Sequence, residues 1–175
     1  METNSRIETL DPLAGPDSRV LILGTAPGAL ALQSGEYFAH PRNQFWRLLF
    51  AVFETDSAVT YQEKLEFLQA RGIALWEVLE SCERIGSSDS AIRNEQPNDL
   101  PGFLSGHPRI RHVFFDSSAA HRFYFKYHPP LAGIEYGLLP SPNPAYASMT
   151  FEQKLEKWKA VKLAADSRPL LQAGQ

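Results

Sequence analysis

A chain of 175 residues is long enough for one domain with a full core. Seventeen Lys and Arg against twenty Asp and Glu leave a net charge of −3, which excludes a purely electrostatic nucleic-acid coat but not a local basic patch. The single cysteine, Cys82, excludes an intrachain disulfide and an iron–sulfur cluster held by several cysteines. No charged-then-apolar leader opens the chain and no apolar run is long enough to span a bilayer, so a cytoplasmic protein with no membrane partner is expected.

In chain order, residues 1–17 are polar with Pro12, Gly15 and Pro16, an extended lead-in pinned by Ile7, Leu10 and Leu13. Residues 20–23, VLIL, form a short apolar run, the mark of a buried strand. Residues 43–53 carry an apolar stripe at helical spacing with Asn43 as N-cap. A second helix is predicted over 60–71, with Leu65 and Leu68 inward and Gly72 as its stop. A very short strand over 73–75 is followed by a helix through Ser81, which places Cys82 as a small buried apolar side chain. Residues 83–106 read as a long functional loop with one short helix near 98–104. Then come a buried strand at 110–115, a helix at 117–127 with Phe123 and Tyr124 inward, and a last strand at 134–139. A final helix at 151–165 carries Leu155, Trp158 and Leu163 on one side, and 167–175 form a loose tail. Alternating strands and helices predict an α/β fold, a parallel sheet of about four strands with helices on both faces. One domain is expected over 1–175, its core at about 18–166.

Open α/β sheets place function just past the carboxyl ends of their strands. Two such ends stand out. The first is Gly24, Thr25, Ala26, Pro27 and Gly28, a turn with a glycine at each end that lets backbone N–H groups approach a ligand. It matches neither a phosphate loop nor a dinucleotide fingerprint, and its local sequence taken alone favours an ordinary tight turn. Tyr37 and Phe38 follow, ahead of His40, Pro41, Arg42 and Asn43. Adjacent residues of an extended segment point opposite ways, so one of the two rings can face a cleft and stack on a nucleobase, for roughly 1–3 kcal/mol, unless both are core. Arg42 also reads as a solvated surface charge. The second strand end is Pro140, Ser141, Pro142, Asn143 and Pro144, a stiff loop able to pinch a nucleic-acid backbone or simply to end a strand.

Neither loop holds an Asp, Glu or Lys in its core; Glu36 is the nearest carboxylate, and no paired carboxylates are visible. Zinc spacings and the G-x-S-x-G elbow are absent, so no metal or other cofactor is expected. A reaction here would run on positioning and on hydrogen bonds from amides, hydroxyls and backbone.

The run RVLILGTAPG…GEYFAHPRNQFWRLL resembles the first motif of the uracil-DNA glycosylase superfamily, and looks closest to its hypoxanthine-DNA (deoxyinosine) glycosylase family. The stretches GIALWEVLESCERIGSSDSAI, HPRIRHVFF, LLPSPNPA and FEQKLEKW agree in order with that family, from about Arg19 to Trp158. The resemblance implies a three-layer α/β/α sandwich around a mainly parallel four-stranded sheet. It implies a monofunctional glycosylase of base excision repair, free of metal and cofactor, acting on double-stranded DNA with deaminated bases such as hypoxanthine, xanthine or uracil. Ala26 stands where mismatch-specific relatives hold the attacking water with an asparagine. The important amide is instead carried over to Asn43, and the ring stacking on the flipped base to Phe38. The loop with Ser141 and Asn143 matches the motif that contacts the lesion strand, although family members often show Ser or Thr at 142 and 143. Asp116-Ser117 stands where relatives often read Asn-Gly.

Together these assign catalysis to Asn43, base binding to the five turn residues with Phe38 and Tyr37, and DNA binding to Arg42, His40, Ser141 and Asn143, with Arg47 as a further phosphate contact. Three other functions fit the chain less fully: a G·U or G·T mismatch glycosylase, a lesion-binding module that has lost catalysis, and a small-molecule α/β enzyme.

Overall fold

The structure, a computed structural model, describes residues 6–58 and 60–167. The predicted tail beyond Ser167 and the first five residues of the lead-in lie outside the described residues.

Four parallel strands form the central sheet: β2 (Val20–Gly24), β3 (Ile73–Glu77), β6 (His112–Phe115) and β7 (Glu135–Leu138), in the order β3-β2-β6-β7. Every residue of β2 is buried because helices cover both faces, which explains its unbroken apolar run. Val20, Ile22, Ile73, Leu75 and Phe114 face one layer, built on α2 (Phe45–Val52), α3 (Tyr61–Arg71) and α6 (Phe151–Asp166). Leu21, Leu23, Ala74, Val113 and Phe115 face the other, with α4 (Leu100–Ser105) and α5 (Ser118–Tyr127). This is the expected three-layer α/β/α arrangement.

A second sheet was not foreseen. Strands β1 (Arg6–Glu8), β4 (Leu79–Glu83) and β5 (Arg93–Pro97) pair antiparallel in the order β1-β4-β5. The predicted helix through Ser81 is therefore corrected to two strands joined at Val78; Leu79 and Cys82, three residues apart, are both buried because β4 shifts register against β5 between them. Their partners, Ile7 opposite Cys82 and Pro97 opposite Leu79, are distant in sequence, so no local pattern announces the pairing. The loop expected over 83–106 also holds a 3₁₀ turn at Asp89–Ala91, and a short helix α1 (Ala29–Ser34) follows the glycine turn. On α6 the inward face is Lys154, Trp158, Val161 and Ala165; Leu163 is exposed instead, contrary to expectation.

Candidate active site

The parallel register brings the carboxyl ends of three strands side by side. Gly24 lies opposite Glu77 on one neighbour, and Leu23 opposite Phe115 on the other, which sets Asp116 beside the turn. A cavity of about 640 Å³ opens at this edge, large enough for a nucleobase and its sugar. All five turn residues line it, together with Phe38, His40, Asn43, Ser141 and Asn143.

The glycine turn is held tightly. The carbonyls of Gly24 and Thr25 accept from the N–H groups of Val78 (2.8 Å) and Leu79 (3.1 Å). The carbonyl of Pro27 accepts from the guanidinium of Arg84, whose side chain is only 1 % exposed. Arg84 also donates to the Gly86 carbonyl and faces Asp89 at 3.5 Å, so one buried cation ties the loop after β4 to the turn. The N–H groups of Ala26 and Gly28 have no acceptor among the described residues. With most of its carbonyls occupied, the turn offers a ligand chiefly donors. A larger residue at Gly24 would have to displace the Glu77 carboxyl, since an added Cβ would run into it and meet Asp116 Oδ2 at 3.3 Å.

Phe38 sits at φ 54°, a left-handed conformation unusual for an aromatic residue. That backbone turns its ring onto Phe45, stacked at 3.8 Å and 9°, while the residue still lines the cavity. Strain of this kind persists where the surroundings dictate it, and it often marks a binding site. Tyr37 is corrected: it belongs to the core and not to the cavity. It is 3 % exposed, its hydroxyl donates to the Asp11 carbonyl at 2.9 Å, and its own carbonyl accepts from Trp46 Nε1. The two adjacent rings do not point opposite ways: their centroids are 6.3 Å apart and both pack on the same core cluster, with only Phe38 reaching the cavity.

Asn43 precedes the helix by two residues, and its Oδ1 accepts the Phe45 N–H at 2.9 Å. Because that partner is a donor, the oxygen is assigned without ambiguity and the Nδ2 amino group has no partner among the described residues. Asn43 thus presents a donor to the cavity. His40 Nδ1 accepts the Arg42 N–H at 3.1 Å; the Arg42 side chain is exposed and is not part of the cavity wall. Arg47 lies over the Phe151 ring at 4.1 Å.

The opposite rim is residues 141–145. Ser141 Oγ accepts the Asn143 N–H (3.2 Å) and Asn143 Oδ1 accepts the Ala145 N–H (2.9 Å), so these side chains shape their own loop. The buried Lys154 holds that loop to the start of α2, donating to the Asn143 carbonyl at 3.2 Å and to Gln44 Oε1 at 2.9 Å. Burial lowers the pKa of its ammonium, but Lys154 does not line the cavity.

Sequence reasoning missed the carboxyls. Glu77, Asp89 and Asp116 line the cavity, although none belongs to the two glycine- and proline-rich loops. They are contributed by neighbouring strands and by the 3₁₀ turn, so only the sheet order brings them together. Glu77 is 5 % exposed and its Oε2 has no hydrogen-bond partner. Burial holds its pKa well above the usual carboxylate range, with the charges of Asp116 and Asp89 adding and Arg84 opposing. Burial, with Asp89 adding and Ser117 opposing by a hydrogen bond, pushes Asp116 up to about 7. Asp89 is also raised by burial, against a hydrogen bond from Thr25 and the charges of Arg84 and Arg122. The expectation of a site without carboxyl groups is therefore corrected, and its physical sense changes: the acids are present, and burial favours their neutral form.

The cavity past the carboxyl ends of the parallel sheet thus gathers backbone N–H groups, the Asn43 amide, the Phe38 ring and three carboxyls. The Uracil DNA glycosylase superfamily profile matches residues 12–165, and the chain belongs to that superfamily. It is 33 % identical over 147 residues to Hypoxanthine DNA glycosylase of Methanosarcina acetivorans, covering 83 % of this chain and 90 % of that one. A protein of the same description from Methanosarcina barkeri is 31 % identical over 126 residues, covering 71 % and 77 %. The solution NMR structure of a candidate uracil DNA glycosylase from Methanosarcina acetivorans superposes with a TM-score of 0.80 at 26 % identity, covering 93 % of this chain and all of that one.

Proposed function

We propose that this protein is a monofunctional DNA glycosylase that draws a deaminated base, hypoxanthine first, out of duplex DNA and hydrolyses its bond to deoxyribose. One observation carries it: Phe38, Asn43 and the glycine turn, separated in sequence, line a single cavity. The flipped ring would lie against Phe38, whose stacking is worth roughly 1–3 kcal/mol. Scission of the N-glycosyl bond builds positive charge on the sugar and negative charge on the base. The N–H groups of Ala26 and Gly28 and the Asn43 amino group are donors fixed before the charge appears, which is where preorganised donors act most strongly. Water then attacks a nearly formed cation and needs little activation. Among the described residues no lysine lines the cavity, which supports a reaction without a Schiff base and without strand cleavage. Curated relatives described as Hypoxanthine DNA glycosylase support hypoxanthine as the first substrate. The test is single-turnover release of free base from duplexes each bearing one hypoxanthine, xanthine, uracil or mismatched thymine. Hypoxanthine released fastest, with strand breaks only after alkali, is the expected result; breaks before alkali would remove the monofunctional assignment, and no release at all would remove the activity.

A further inference from the structure

The cavity floor holds a group that the proposed chemistry does not yet use. Glu77 is anchored through its backbone, its carbonyl accepting from Asn98 Nδ2 at 2.9 Å, yet its carboxyl bonds to nothing among the described residues. A buried polar group without a partner is a net cost of folding, and an ionised one costs far more. Gly24 gives up its Cβ to leave this carboxyl room, at the point where Asp116 also approaches. The one buried cation nearby, Arg84, is committed to two backbone carbonyls and to Asp89. A side chain with only a structural purpose would be satisfied from within the protein; this one is unsatisfied and lines the cavity.

Resting on the glycosylase function above, we propose that Glu77 acts as a neutral carboxylic acid that donates a hydrogen bond to a carbonyl oxygen of the flipped base, selecting deaminated bases over their amino-bearing parents. Deamination replaces an exocyclic amino group, a donor, with a carbonyl, an acceptor. A protonated acid matches the carbonyl; a carboxylate would match the amino group instead. The proton stays on Glu77 throughout, and the bond strengthens as negative charge spreads onto the departing base. Asp116, Asp89 and Arg84 are the charged groups that act on Glu77; the two acids favour its proton and Arg84 opposes it.

The experiment compares wild type, Glu77→Gln and Glu77→Leu in single-turnover release of hypoxanthine from about pH 6 to about pH 10, with circular dichroism and duplex binding as controls. At the acid end, Glu77→Leu should lose roughly a hundredfold or more, whereas Glu77→Gln, which keeps an N–H donor, should lose less than about tenfold. The ratio of Glu77→Gln to wild type should then rise with pH as Glu77 ionises, because the amide cannot ionise. Ionisation of the base itself cancels in that ratio. Asp116→Asn, by removing a like charge, should move the wild-type alkaline fall to lower pH. Equal losses in the two Glu77 variants at the acid end, a ratio that falls towards alkaline pH, or release by Glu77→Leu at the wild-type rate would each overturn the role of Glu77. Should Glu77→Leu fail to fold, Glu77→Met, which also lacks a donor, takes its place in the comparison with Glu77→Gln. A wild type that releases no base from any lesion duplex sinks the glycosylase assignment, an outcome distinct from active wild type with indifferent Glu77 variants.

Discussion

The two loops that rim the cavity are made differently. The turn at 24–28 is bound from behind by Arg84 and by the backbone of Val78 and Leu79, and so faces the cavity with N–H donors. The loop at 141–145 is largely exposed, uses its hydroxyl and amide on its own backbone, and is held from the side by Lys154. Both follow a parallel strand and both are stiffened by proline, yet only the first turns free N–H groups towards the cavity, where the proposed function would place the base. The second presents shape, which under the proposed function would meet the sugar–phosphate chain. Side-chain chemistry named in a loop thus says little until its local hydrogen bonds are known.

That contrast can be broken by substitution. The largest effect is expected for Gly24→Ala, whose new methyl must displace the Glu77 carboxyl. Overpacking of this kind costs roughly 1–3 kcal/mol, and base release should fall with it. Urea denaturation and single-turnover release measure both, and a variant normal in each would show that the turn is not tightly fitted. Asn43→Ala should lower base release by roughly a hundredfold while the fold persists, since a donor to the cavity is lost and only the Phe45 N–H loses its acceptor. Unchanged release would take Asn43 out of the catalytic set.

Smaller effects test the buried charges. Asp116 is raised from 3.8 to about 7 in the folded state, so the native protein holds a proton that the unfolded chain has released. Stability from this group is complete at acid pH and is lost as pH rises from about 4 through about 7. Asp116→Asn should therefore flatten the decline in melting temperature across that window, and an unchanged slope would place the titration elsewhere. Lys154→Met should cost about 1 kcal/mol or less, because the Gln44 and Asn143 acceptors are partly open to water, but should weaken binding of lesion duplex several-fold by loosening the second loop. Binding equal to wild type would deny that loop a part in holding DNA. Least of all, Tyr37→Phe should leave base release within about twofold and cost about 1 kcal/mol through the lost bond to the Asp11 carbonyl. A large kinetic loss there would return Tyr37 to the cavity.

Much of this molecule is written locally. The apolar run at β2, the capped helices α3 and α6 and the glycine and proline turns need only near neighbours, and the chain states them directly. The pair Tyr37-Phe38 announced that one ring could face a cleft without saying which; the packed structure puts Phe38, at positive φ, in the cavity wall and Tyr37 in the core. The second sheet and the acid cluster were silent in sequence for one reason. Ile7 meets Cys82, and Glu77, Asp89 and Asp116 meet one cavity, only after strands far apart in the chain lie side by side. Sequence alone determined the strands, the turns and the kind of polar atoms at their ends. Tertiary structure decided which of those atoms are consumed, which are left facing the cavity, and which carboxyls have their pKa raised by burial, because hydrogen-bond partners and desolvation are properties of the packed neighbourhood and not of the chain.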